Sequence, residues 1–172
     1  MQIPIHYPHF FTATILEWKH LLKPDKLKDI IVDSLRFLVN EKRIEVFAFV
    51  IMSNHIHLIW RMQNDVEKTK VKQSFMKYTA QKILQEIRNN HPKVLPYFWV
   101  GAKDRKYQIW ERNALSIEIH SNAVMLQKLK YIHQNPVKAG LVSSEMEYKY
   151  SSALHYLSEV IIWDFITKWE AY

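Results

Sequence analysis

The sequence predicts a single α/β (α+β) domain with strands and helices alternating around a mainly antiparallel sheet. Three observations carry this expectation. Runs rich in β-branched and aromatic residues alternate with runs whose apolar residues recur at helical period. Two of the strand-like runs are separated only by Ser53-Asn54, a connection that joins antiparallel neighbours. No repeat, low-complexity tract or Pro/Gly/Ser linker divides the 172 residues, which are enough to bury a core without disulfides or a structural metal.

The elements follow in order. Phe10 to Leu16 reads as a first strand. Lys23-Pro24-Asp25 opens a helix, with Pro24 near its first turn and an apolar stripe of Leu27, Ile30, Ile31, Leu35 and Leu38. Ile44 to Ile51 is the next strand, and Ser53-Asn54 turns into a strand containing His55 and His57. Asp65 to Asn89 reads as a second helix, with Val66, Phe75, Ile83 and Ile87 among its apolar positions, ended by His91-Pro92. Tyr107 to Trp110 is expected to be a strand. A third helix starts at Ser121 or Asn122 and is expected to stop at Asn135, because a following proline disfavours helix continuation. The domain spans residues 1–172, with a core at about 8–157 and an aromatic-rich extension at 158–172 that either covers the core or forms an interface.

Composition narrows the function. There is no cysteine, which excludes thiol catalysis, cysteine-type zinc sites and a disulfide scaffold, and fits a reducing cytoplasm. The start, Met1-Gln2-Ile3-Pro4-Ile5-His6, lacks a basic segment followed by a long apolar run, so no signal peptide is expected. No stretch approaches the roughly 20 apolar residues that span a bilayer, so no membrane partner is expected either. A formal charge of +7 favours a polyanionic partner, nucleic acid above all.

The chemistry-bearing residues fall in two places. On a strand, His55 and His57 point to the same face and present two imidazoles, the commonest protein metal ligands. With 9 histidines in the chain, chance supplies roughly half a His-x-His, so the pair needs partners. Tyr131 and Asn135, at i and i+4, share a face of the third helix. Brought near the histidines, the Tyr131 hydroxyl could attack a phosphodiester. His55, His57 and the Asn135 amide oxygen could hold a divalent cation on the scissile phosphate, and that donor set suits Mn²⁺ at least as well as Mg²⁺. Spacing alone does not bring the helix to the strand.

The segments Phe49-Val50-Ile51-Met52-Ser53-Asn54-His55-Ile56-His57-Leu58-Ile59-Trp60 and Tyr131-Ile132-His133-Gln134-Asn135-Pro136-Val137-Lys138-Ala139-Gly140 together resemble the single-tyrosine HUH transposases. The resemblance is to the insertion-sequence 200-like family, most of all its REP-associated branch. It extends more loosely from Phe10-Phe11-Thr12 to Tyr150-Ser151-Ser152-Ala153. It implies a ferredoxin-like antiparallel sheet with helices packed mainly on one face. It implies Tyr131 as nucleophile and His55, His57 and Asn135 as ligands of Mg²⁺ or Mn²⁺. The implied activity is nicking and rejoining of single-stranded DNA beside a hairpin, through a 5′-phosphotyrosine and a free 3′-hydroxyl, in the bacterial cytoplasm and on the nucleoid. Insertion-sequence members act as homodimers and REP-associated relatives can be monomers, so both states stay open. Ser53 stands where relatives often carry proline.

Each residue also has a plainer reading. Asn135 before Pro136 has the place of a helix cap, and a tyrosine on an amphipathic helix is usually a boundary residue. His133 falls about 200° around the helix from Tyr131 and reads as structural. Trp60, Trp99 and Trp110 are expected in the core. For DNA contacts the expectation is Lys70 and Lys77 on one stripe of the second helix, a patch of Lys103, Arg105, Lys106 and Arg112, and Lys128, Lys130 and Lys138 around Tyr131. Two rival functions are a domesticated hairpin-DNA-binding protein that does not cut and a metal-dependent hydrolase that forms no covalent intermediate.

Overall fold

Among the described residues, six strands and three long helices are arranged so that one helix crosses the face of the sheet that the other two leave open. A computed structural model describes residues 6–63 and 67–171. Strand β1 (His9–Thr14) is followed by a 3₁₀ turn and by helix α1 (Asp25–Asn40), whose N-cap is Pro24. Strands β2 (Ile44–Ile51) and β3 (His55–Met62) form a hairpin closed by the Met52 N–H on the His55 carbonyl at 2.9 Å. Helix α2 (Lys68–Asn90) ends one residue past its expected end; Asp65 and Val66, assigned to its start, lie outside the described residues. Strands β4 (Trp99–Ala102) and β5 (Arg105–Tyr107) make a small separate hairpin. Strand β6 (Leu115–Glu118), helix α3 (Asn122–Lys138) and a short helix α4 (Ala153–Leu157) complete the order.

The main sheet runs β2-β3-β1-β6, and every pairing between these strands is antiparallel. Alternation along the strands divides the buried side chains into two layers. Phe11, Ile56, Leu58 and Trp60 face α1 and α2, with Phe75 of α2 edge-on to both Phe11 and Trp60. Phe10, Val50 and Ile59 face the other way, onto Met125, Leu129 and Ile132 of α3. Strand β2 is buried on both faces, which is why it reads as an unbroken apolar run. A register shift between Val46 and Ala48 puts Phe47 and Ala48 in the α3 layer together.

The outer edge of β2 is covered by the C-terminal part of the chain. Ser151 bridges Val50, the Ile51 N–H donates to Tyr150, and the Thr167 N–H donates to Val46 beside a parallel bridge from Ile166. Trp163, Phe165 and Ile166 enter the α1/α2 layer, and the Trp169 indole donates to Asn122 at the start of α3. Of the two roles considered for residues 158–172, covering the core is the one these contacts fill. Closing an otherwise open strand edge also removes a template for aggregation. No helix among the described residues is long and apolar enough to cross a membrane.

Pro136 does not stop α3, which continues to Lys138. Near a C-terminus a proline forfeits a single i→i−4 bond, and the helix tolerates the loss. The end is instead made by Gly140 at φ +71, with the Leu141 N–H on the Pro136 carbonyl and the Gly140 N–H on the Val137 carbonyl. Residues 107–110 were expected as one strand, yet only Tyr107 belongs to β5. Beyond it the segment runs alongside the end of β1, where Trp110 bridges Ile15 and Glu111 donates to Thr14.

Candidate active site

Strand pairing sets out one side of the site. In the β1/β3 register Thr12 lies opposite His57 and Thr14 opposite His55, so these four side chains share the α3 face. The His55 and His57 rings are 4.7 Å apart between centroids. Thr12 Oγ1 is 2.7 Å from His57 Nδ1, and Asn54 Oδ1 is 2.7 Å from His55 Nδ1. An amide oxygen only accepts, so His55 carries a proton on Nδ1 and keeps Nε2 as a lone pair. Thr12 can fix the same tautomer on His57. Phe10 stacks on His57 at 5.3 Å and holds the ring from below.

Helix α3 supplies the other side. Burial of Met125, Leu129 and Ile132 fixes its rotation and turns Tyr131 toward β1 and β3. The Tyr131 ring lies 5.2 Å from His57 and 5.8 Å from Phe10, edge-on to both, and is 41% exposed. One turn on, Asn135 is near enough to His55 to raise its pKa against the effect of burial. His133, on the opposite side of α3, is fully buried, with Nε2 2.9 Å from Ser152 Oγ. That hydroxyl is also bonded to the backbone of Phe49 in β2, so His133 ties the helix to the sheet.

The site is poised to stay uncharged on its imidazoles. Burial lowers the His57 pKa to about 3, helped by the neighbouring His55 and by Lys128. Burial also lowers the pKa of His55, partly offset by the nearby Asn135. Two imidazoles with hydrogen-bonded Nδ1 atoms and a nearby amide form a donor set that fits a divalent cation. No group of three or more His, Cys, Asp or Glu residues fit to hold a metal occurs among the described residues.

The basic residues are spread over several places. The Lys128 ammonium lies 4.6 Å from the Phe10 ring centroid and 5.9 Å from that of Tyr131, and Lys138 lies 6.0 Å from Tyr131; both border the site. Lys130 is exposed on α3, one residue before Tyr131. Lys77, Arg105 and Arg112 line a groove of about 610 Å³ between α2 and the β5–Arg112 segment, together with Asp104, which pairs with both arginines. Lys103 and Lys106 are exposed on the β4–β5 hairpin. Lys70 does not line the groove with Lys77; it pairs with Glu67 at 2.7 Å. Glu111 also lines the groove, and its Oε1 accepts the Glu17 N–H at 2.6 Å.

Four residues at the site escaped the sequence reading: Phe10, Thr12, Asn54 and Trp18. Phe10 and Thr12 are two apart on a strand, a readable signal, but their register against β3 is a tertiary fact. Trp18 follows Glu17, and both hold left-handed backbone (φ 57 and 53), which costs about 1 kcal/mol or more for each non-glycine residue. Trp60 and Trp110 are buried as expected, whereas Trp99 is 54% exposed and packs edge-on against Tyr107. The β4–β5 hairpin is too short to bury it. Ser53 uses the freedom of not being proline differently, with its hydroxyl 2.6 Å from His20 Nδ1.

A ferredoxin-like sheet with a tyrosine helix laid against a histidine pair defines a class of DNA-processing domain, and comparison with known proteins agrees. The family model for IS200-like transposases matches residues 6–135. The chain belongs to the IS200-like transposase family. Its fold is similar to that of a REP-associated tyrosine transposase solved bound to a REP hairpin, with a TM-score of 0.65, 18% identity, and coverage of 99% of this chain and 93% of that one. It is also similar to a protein from Deinococcus radiodurans R1 described as a transposase, with a TM-score of 0.53, 15% identity, and coverage of 78% and 94%. No curated protein sequence matches the chain.

Proposed function

We propose that this transposase nicks and rejoins single-stranded DNA beside a hairpin, through a covalent 5′-phosphotyrosine on Tyr131. The observation that carries the reading is the meeting of Tyr131, His57, His55 and Asn135 on one patch between β3 and α3. The Tyr131 hydroxyl attacks the phosphorus and the bond to the 3′ oxygen breaks. The phenol proton passes to solvent as the departing 3′ oxygen takes one up. In rejoining, a 3′-hydroxyl attacks the phosphotyrosine and releases Tyr131, so the bond count is conserved and no nucleotide cofactor is consumed.

His55 and His57, through Nε2, and the Asn135 amide oxygen would hold Mg²⁺ or Mn²⁺. When bound, the cation supplies positive charge against the phosphate oxygens. Thr12 and Asn54 orient the two imidazoles, Phe10 excludes water beneath them, and Lys128 and Lys138 place positive charge where the phosphate must sit. Lys77, Arg105 and Arg112 offer a path for the strand leading away from the cut. The hairpin partner is supported by the REP hairpin bound to the similar structure. The reaction is assigned to DNA in the bacterial cytoplasm.

The test uses single-stranded oligonucleotides tiled across both strands of the DNA flanking the gene, with Mn²⁺ or Mg²⁺, read on denaturing gels and by intact mass. The expected result is a protein–DNA adduct that requires the cation and is absent from Tyr131→Phe. Metal-dependent cutting that survives Tyr131→Phe, or tight binding with no adduct, would overturn the proposal. The second of these outcomes is the one a non-cutting hairpin binder gives.

A further inference from the structure

Trp18 has no part in the chemistry just described, yet it stands at the end of the same row of rings. Tyr131 lies 5.2 Å from His57, His57 lies 4.7 Å from His55, and His55 lies 5.9 Å from the Trp18 indole. The indole is 59% exposed, whereas Trp60, Trp110 and Trp163 are all buried. Its backbone is left-handed, a conformation bulky residues avoid, and so is that of Glu17 before it. The neighbourhood enforces that conformation. The Glu17 N–H donates to Glu111, the Trp18 N–H donates to the Ile15 carbonyl, and Asn54 Nδ2 reaches the Trp18 carbonyl at 3.5 Å. Asn54 is also the residue that orients His55, so the histidine and the tryptophan are set by one side chain. A large aromatic surface held out of the core on strained, over-determined backbone marks a functional position.

In-line displacement at phosphorus puts the leaving group opposite the nucleophile. With Tyr131 at one end of the row, the departing 3′ oxygen and its nucleoside lie toward the other end. We propose that Trp18 is a stacking platform for the base of the nucleotide immediately 5′ of the cut. Stacking retains the strand that carries the free 3′-hydroxyl while the phosphotyrosine exists, so that rejoining outruns its loss. Trp18 is thus a binding and positioning residue that acts on the leaving strand. This rests on the tyrosine-transposase reading above.

The experiment takes an oligonucleotide that the full-length protein cuts, with matched versions carrying an abasic residue immediately 5′ or immediately 3′ of the cut. Wild type, Trp18→Ala, Trp18→Phe and Trp18→Gly are scored for adduct, for strand-transfer product per adduct and for thermal midpoint. Base–aromatic stacking predicts about a tenfold lower rejoining yield in Trp18→Ala, with most of it restored in Trp18→Phe. The 5′ abasic substrate should reproduce that loss in wild type and add nothing in Trp18→Ala, while the 3′ abasic substrate spares the difference between the two proteins. Trp18→Gly should keep or raise the thermal midpoint, because glycine relieves the backbone, yet rejoin as poorly as Trp18→Ala. Adduct that depends on Tyr131 but rejoins equally well in Trp18→Ala would overturn the stacking role alone. Equal sensitivity to both abasic positions would overturn its assignment to the leaving strand. No adduct from wild type would overturn this inference and the reading beneath it together.

Discussion

Ser152→Ala should be among the most damaging small substitutions in the chain. Ser152 is fully buried, and its hydroxyl uses its whole hydrogen-bonding capacity. It accepts the Phe49 N–H at 3.0 Å, reaches the Phe49 carbonyl at 3.3 Å, and shares a hydrogen bond with His133 Nε2 at 2.9 Å. The Phe49 carbonyl keeps a second donor, the Ser152 backbone N–H at 3.0 Å, so it is not orphaned when the hydroxyl goes. The Phe49 N–H and His133 Nε2 lose this partner in the buried interior. At about 1–3 kcal/mol for each buried polar group, the loss is about 4 kcal/mol, or roughly 10 °C in thermal midpoint for a chain of this size. Urea denaturation followed by circular dichroism measures it. Ser158→Ala, which removes a part-buried bond to the Leu154 carbonyl and an exposed one from the Val160 N–H, is the control and should cost about 1 kcal/mol. A loss below about 1 kcal/mol in Ser152→Ala would refute the claim that this hydroxyl locks α3 to β2.

Two further outcomes follow from the same geometry. Thr12→Val keeps the shape of the side chain and removes the hydrogen bond to His57 Nδ1, so Mn²⁺ affinity, read by calorimetry, should fall about 10- to 100-fold with the fold intact; unchanged affinity would deny Thr12 an orienting role. Acid should destabilise the protein well before its carboxylates protonate. His57 and His133 have folded pKa values lowered to about 3 and about 4, below the unfolded 6.5, so the unfolded chain binds protons that the native state refuses. Their contribution is complete above about pH 6.5 and is lost as pH falls toward those values. The loss is about 2 kcal/mol for each group between pH 7 and pH 5, and urea midpoints that stay flat over that range would contradict it. His9, lowered to about 4 by burial and then by Lys72 and Lys68, works in the same direction.

The elements that were readable are those whose sequence period is reinforced by burial. Strand β2 was located to the residue because both its faces are apolar, and α1 because Pro24 and an apolar stripe agree. What was not readable depends on partners distant in sequence. Strand β6 has four residues, three of them exposed, and exists because β1 offers it an edge. Pro136 carries a local stop signal that α3 overrides because the Gly140 cap lies just beyond. At the site, Tyr131, Asn135, His55 and His57 could be picked from spacing and resemblance, since a phenol, an amide and two imidazoles are reactive or ligating groups in themselves. Thr12, Asn54, Phe10 and Trp18 could not, because a threonine beside a strand phenylalanine has no meaning until the register sets it opposite His57.

That difference follows from how the site is made. The antiparallel sheet with α1 and α2 on one face is complete as a two-layer structure, yet its second face would expose Phe10, Val50 and Ile59 to water. Helix α3 is needed to bury that face, and it does so with Met125, Leu129 and Ile132 on one stripe. Burying the stripe leaves the flank of the helix with Tyr131 and Asn135 directed along the sheet toward β3. The same packing energy that completes the core therefore sets the distance between the phenol and the imidazoles. A substitution that shifts α3, such as Ser152→Ala, should accordingly impair the covalent step along with stability. One that only removes a side chain at the rim, such as Trp18→Ala, should leave the core untouched. Comparing the two variants for adduct yield and unfolding midpoint separates the placing of Tyr131 from the proposed holding of the DNA by Trp18.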